Sequence, residues 1–139
     1  MFEECDSLLV FSGGLDNLED ASNMFRNCKN LIEVESNFPK LKNADYMFYA
    51  CSALTDFSKD TNFSTITNAS WMFSGCDKIT SFNYNLSSLI IASWMFYSCD
   101  NLKRFDSNLS SLINGYQMFE YCKKLIDFNA DLSSLVTGN

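Results

Sequence analysis

The 139-residue sequence contains no histidine, one proline (Pro39) and no apolar run approaching the roughly 20 residues of a membrane span. Each absence removes a class of function. Without histidine there is no imidazole for a catalytic triad or for most zinc sites. No nucleophile elbow or glycine-rich phosphate loop is present, and "SGG" at 12–14 lacks the residues that would flank one. Basic residues are few: 10 Lys and Arg against 17 Asp and Glu leave a net charge of −7. No basic stripe exists to displace counterions from a phosphate backbone, so nucleic acid is a disfavoured partner. The first residues, "MFEECDSLLVF", are acidic and lack the basic start of a secretory signal. With 47% hydrophobic residues and 19% charged, disorder is excluded as well. A chain of this length can bury a real core as one domain.

What the sequence does have is a repeat. "SWMFYSCDNLKRFDSNLSSL" (93–112) is preceded 23 residues earlier by "SWMFSGCDKITSFNYNLSSL" and followed 23 later by "YQMFEYCKKLIDFNADLSSL". The Met-Phe pair recurs at 1–2, 24–25, 47–48, 72–73, 95–96 and 118–119, and a cysteine stands three residues after each Phe. A Leu or Ile comes three residues after each Cys, and a Phe or Val six after it. Two further apolar columns follow, then a small residue before the next Met. The units are 1–23, 24–46, 47–71, 72–94, 95–117 and 118–139, the third lengthened at "KDTN" (59–62).

One such unit cannot bury this many apolar side chains, whereas stacked coils can share a single core. The apolar columns therefore face inward. Strand rows lie about 4.8 Å apart, so six coils make a stub on the order of 25–30 Å long. "LKRFD" suits a short strand, with Leu102 and Phe105 as its inner anchors. Ala92, Met95, Phe96 and Cys99 fall at i, i+3, i+4 and i+7, which predicts about two turns of α or 3₁₀ helix. The expected fold is an α/β solenoid: short parallel strands on one wall, short helical segments on the other.

The "MFxxCxxLxxF" spacing resembles the BspA-type family of leucine-rich repeats over essentially the whole chain. That resemblance implies a right-handed leucine-rich-repeat solenoid, exported or attached to a bacterial surface, which binds host matrix proteins or other cells. One departure matters. The usual third strand position carries Ser107, with Gly13, Ser36 and Ala130 among its counterparts, so the strand should be shorter and flatter than the common form.

All six cysteines share one inward column. Parallel stacked side chains have poor disulfide geometry, so reduced, packed thiols are expected, and with no Cys-x-x-Cys pair or histidine no metal site is expected. A second column holds Asn37, Asn62, Asn85 and Asn108, with Gly14 and Asp131 in the end units. It can form an amide ladder from coil to coil. It also creates glycosylation sequons, as does "NAS" at Asn68. The columnar placement favours the ladder.

Asp16, Glu19 and Asp20 belong to an acidic first coil, but their spacing fits no calcium loop. With no cofactor site in view, a non-catalytic protein-binding or adhesion module is the leading expectation. Two surfaces compete. The strand wall offers residues that change from coil to coil, with Ile32, Asp56, Lys103, Arg104, Ile126 and Asp127 as candidate contacts. The opposite wall offers an aromatic ridge of Tyr46, Trp71 and Trp94, read more readily as packing between coils. A third possibility is a structural spacer, or a solenoid assembling end to end through uncapped ends. The six near-whole units suggest a segment of a longer repeat protein.

Overall fold

A computed structural model describes residues 1–138. Its six strands are β1 (Val10–Ser12), β2 (Glu33–Glu35), β3 (Asp56–Phe57), β4 (Ser81–Phe82), β5 (Arg104–Asp106) and β6 (Asp127–Asn129). They are parallel and in chain order. The register Phe11↔Val34↔Phe57 and Phe82↔Phe105↔Phe128 sets the inward residue of each coil beside its repeat partner. Strands of two or three residues suffice because only one inward side chain per strand needs anchoring. A second ladder, Asp20–Asn43–Asn68–Ile91–Asn114–Thr137, runs unbroken through all six coils.

Among the described residues no α or 3₁₀ helix forms, so the expected helical wall is corrected. The reason is backbone conformation. In most coils the residue before Met and the residue before Cys are left-handed, with φ of 55° at Trp94 and 56° at Ser98. They break the helical path, and the amides then alternate in direction. Those of Met95, Tyr97 and Cys99 donate three residues back, to Ala92, Trp94 and Phe96. Those of Trp94, Phe96 and Ser98 donate across to Tyr116, Met118 and Glu120 of the next coil. A helix would satisfy the donors beyond its first turn internally. Here half of them stitch coils together, while the inward spacing of the apolar side chains is unchanged.

The Met-Phe phenylalanines stack along the axis from Phe2 to Phe119, with centroids 5.3 to 5.6 Å apart and planes within 19° of parallel. That is offset-stacking distance. Around them the inner coils' apolar columns are fully buried, whereas Phe2, Cys5, Phe119 and Cys122 in the outer coils are only partly so.

The strand wall, unlike the other ladder, is interrupted: β1-β2-β3 and β4-β5-β6 are separate sheets. Thr55, Lys103 and Ile126 each donate an amide to the preceding coil, but the equivalent bond from Thr80 to Thr55 is missing. Two features sit at the gap. One is the lengthened third unit. The other is Tyr84, in a column otherwise of small residues, where Ser36 Oγ donates to the Gly13 carbonyl and Thr61 Oγ1 to that of Ser36. The Tyr84 ring instead packs on Phe57, Phe63 and Phe82, and its hydroxyl reaches Asp56 Oδ1 at 2.7 Å. Ser107 Oγ, next in the column, is buried without a partner.

Among the described residues ten non-glycine residues are left-handed, a conformation costing most of them roughly 1 kcal/mol. Only Gly75, at φ 72°, occupies such a position freely, and a Cβ there would stand 3.6 Å from Ala50 Cα, an ordinary contact. Backbone strain alone should therefore set the sign of substitutions. Ala50→Gly and Ser98→Gly are each expected to stabilise the fold by about 0.5–1 kcal/mol, and Gly75→Ala to destabilise it by about 1 kcal/mol. Denaturant midpoints check this; a loss of stability in both glycine variants would refute it.

Candidate functional site

The strand wall places all six candidate contacts at the surface, in two adjacent columns. It does not gather them. Lys103, Arg104, Ile126 and Asp127 cluster on β5, β6 and the residues just before them, while Ile32 and Asp56 lie across the sheet break. Ile126 is 87% exposed and Ile32 44%. Arg104 Nε and Asp127 Oδ2 pair at 2.8 Å with both side chains more than half exposed, so the pair adds little stability. Lys103 has no ion-pair partner among the described residues. Asp56 is committed on one side: its Oδ1 accepts both the Tyr84 hydroxyl and the Phe57 amide.

The opposite wall carries the aromatic ridge. Trp71 lies 6.0 Å from Tyr46 and 4.8 Å from Trp94, with near-parallel planes in both pairs. Arg26 closes one end, its guanidinium 5.6 Å from the Tyr46 centroid and 5.4 Å from that of Tyr49. At the other end Trp94 Nε1 donates to Gln117 Oε1 at 2.7 Å. The indole faces are occupied by each other, and all three ridge residues are half-buried.

At the sheet break a surface cleft of about 510 Å³ opens between coils, bordered by Asp56, Lys59, Ser81, Asn83, Tyr84 and Asn85. The sequence reading missed it. The available signal was Tyr84 itself, a large residue in a column of small ones, one coil after the lengthened unit. Burial and the neighbouring Asp56 carboxylate push the Tyr84 phenol well above its ordinary range.

The asparagine column is not a ladder. Asn62, Asn85, Asn108 and Asp131 each accept the amide two residues on through Oδ1, closing a turn within their own coil. Asn37 alone reaches the next coil, accepting the Asn62 amide at 3.1 Å. Among the described residues no three His, Cys, Asp or Glu side chains stand together as metal ligands. Asp20 instead accepts the Ser22 hydroxyl and amide, which hold its carboxyl below the ordinary value.

The six cysteines are free thiols. From Cys28 onward each Sγ donates to the carbonyl of the preceding coil's Met-Phe phenylalanine, at 2.9 to 3.1 Å. That oxygen also accepts the amide of its own coil's cysteine. Both lone pairs are thus used, one within the coil and one across it. Burial raises the Cys51 thiol to about 12 and that of Cys122 to about 11, with Cys76 and Cys99 also well above the usual value.

A comparison with sequence families matches residues 44–137, in six copies, to the BspA type leucine rich repeat region. No curated protein matches the chain. Among solved structures, a leucine rich cell surface protein from Faecalibacterium prausnitzii A2-165 superposes with a TM-score of 0.69 at 21% identity. The match covers 88% of this chain and 32% of that one, so this chain spans about a third of its length. At that identity the likeness is one of fold.

The thiol ladder has a pH signature. Groups whose folded pKa is raised favour the protonated fold, so their stabilisation is complete below the unfolded value near 9 and is lost as pH climbs towards 12. Stability should therefore fall above pH 9, and fall less in the double variant Cys51→Ala, Cys76→Ala. At neutral pH the inner thiols should resist a bulky aromatic disulfide reagent until the protein is denatured, while Cys5 and Cys122 react sooner. Rapid native labelling of Cys51 and Cys76 would contradict the ladder.

Proposed function

The chain belongs to the BspA-type leucine-rich-repeat family, and on that premise we propose that it is a non-catalytic protein-binding module of a bacterial surface protein. The observation that carries this reading is the contrast between its faces. The inward columns repeat one chemistry, whereas the strand wall runs from Ile32 through Asp56 to Lys103, Arg104, Ile126 and Asp127. A scaffold that fixes its core and frees one wall is suited to recognising a protein partner, such as a host matrix or cell-surface protein. Contacts centre on coils 5 and 6, where unpaired Lys103, the Arg104–Asp127 pair and exposed Ile126 put charge beside an apolar side chain. The family and the surface description of the solved relative support placement at the cell surface. Parallel strands in chain order favour the right-handed crossover for the six-coil stack. The aromatic ridge serves packing, because its ring faces are already taken.

These roles separate on substitution. Lys103→Glu with Arg104→Glu should weaken binding of a captured partner at least tenfold and leave the melting temperature nearly unchanged, since the surface pair contributes about 1 kcal/mol or less. Trp94→Ala should instead lower the melting temperature. Loss of binding in Trp71→Ala and Trp94→Ala with stability intact would transfer the site to the aromatic ridge. Unaltered binding in all of these variants would place the site on neither surface, and a chain that captures no partner would leave the spacer role as the better reading.

A further inference from the structure

The sheet break is a costly place to leave empty. Everywhere else along the strand wall the chain forms its cross-coil bonds, yet between Thr55 and Thr80 it forgoes one. The other ladder continues through Asn43, Asn68 and Ile91, so the coils remain stacked and only the strand wall parts. Tyr84 props the gap. Its ring lies against Phe57 and Phe82 while its hydroxyl binds Asp56. A cleft held open by a packed aromatic side chain is formed before any ligand arrives.

The chemistry of the opening is specific. Asp56 Oδ1 is fixed by Tyr84 and the Phe57 amide, which leaves Oδ2 as an oriented acceptor. Asn85 Oδ1 is turned to the Ser87 amide, which leaves its NH₂ as a donor. The Asn83 side chain, the Ser81 hydroxyl and the Lys59 amine border the cleft and have no side-chain partner among the described residues. Unlike charges thus share the opening with neutral groups that both donate and accept.

We propose that this cleft binds an uncharged polyhydroxylated ligand, a saccharide, through Asp56, Asn83, Asn85 and Lys59 beside the Tyr84 ring. Each sugar hydroxyl both donates and accepts, so a mixed set of fixed acceptors and donors matches it. The volume of about 510 Å³ falls in the roughly 300–1,000 Å³ range of small-ligand sites. Other classes fit worse. A divalent cation would find one carboxylate beside an ammonium group. A phosphate would find one amine beside a carboxylate. A peptide strand needs an edge open to one side, whereas the edges of β3 and β4 face each other.

The test is affinity electrophoresis of the full chain through gels containing mannan, dextran or galactan, with heparin as a sulfated control. At least one neutral polysaccharide should retard the protein. Asn83→Ala, and Asp56→Asn, which keeps an oxygen for Tyr84, should each weaken that retardation about tenfold, with melting temperatures near that of the unmodified chain. Lys103→Glu with Arg104→Glu should not affect it, so the surface of coils 5 and 6, where the proposed protein contacts centre, and this cleft fail independently. The proposal is overturned if none of the three neutral polysaccharides retards the protein. Retardation by heparin alone, or retardation that survives both Asn83→Ala and Asp56→Asn, overturns it equally.

Discussion

From Phe2 to Phe96 the amide of each Met-Phe phenylalanine donates to the methionine carbonyl one coil further on, at 2.8 to 2.9 Å. Most other features follow from that bond. It fixes the rise from coil to coil, and at that rise the phenylalanine rings meet at stacking distance. The same rise brings each cysteine thiol under a carbonyl that has a lone pair to spare. Cysteine suits the position because it is small, apolar and a weak donor; alanine would leave the second lone pair empty.

The cross-coil bond is made possible by strain. A right-handed path would turn these amides back into their own coil, so left-handed residues interrupt it before Met and before Cys. Tryptophan, tyrosine and glutamine tolerate such a conformation poorly. They persist there because bonded amides surround them and because, on the outer wall, Tyr46, Trp71 and Trp94 stack from coil to coil and Gln117 accepts the Trp94 indole N–H. Packing of Trp71 on Trp94 and retention of their backbone conformation are thus two aspects of one arrangement.

The inward columns were legible in the sequence because a period of 23 residues records side-chain direction, and side-chain direction decides burial. Backbone conformation was not. Ala92, Met95, Phe96 and Cys99 point inward whether the chain is helical or folded into successive turns, so apolar spacing cannot distinguish the two. The asparagine column closes turns instead of forming a ladder for a local reason: in Asn-x-Ser the amide two residues away is nearer than the next coil. Exposure of the candidate contacts followed from the register. The pairing of Arg104 with Asp127, and the separation of Ile32 and Asp56 from the rest, depended on which strands remain joined. Tyr84 carried a readable signal, since its column is otherwise small, but size alone does not say that a wall will part.

Residue-resolved hydrogen exchange in native buffer tests the stitched turn wall most directly. The amides of Phe25, Phe48, Phe73 and Phe96 should exchange only through global unfolding, as slowly as those of buried strands. On the strand wall Thr55, Lys103 and Ile126 should be protected, and Thr80, across the break, should exchange far faster. Turn-wall phenylalanine amides that exchanged at loop rates while the strands stayed protected would contradict the account, because the strands alone would then be holding the coils together.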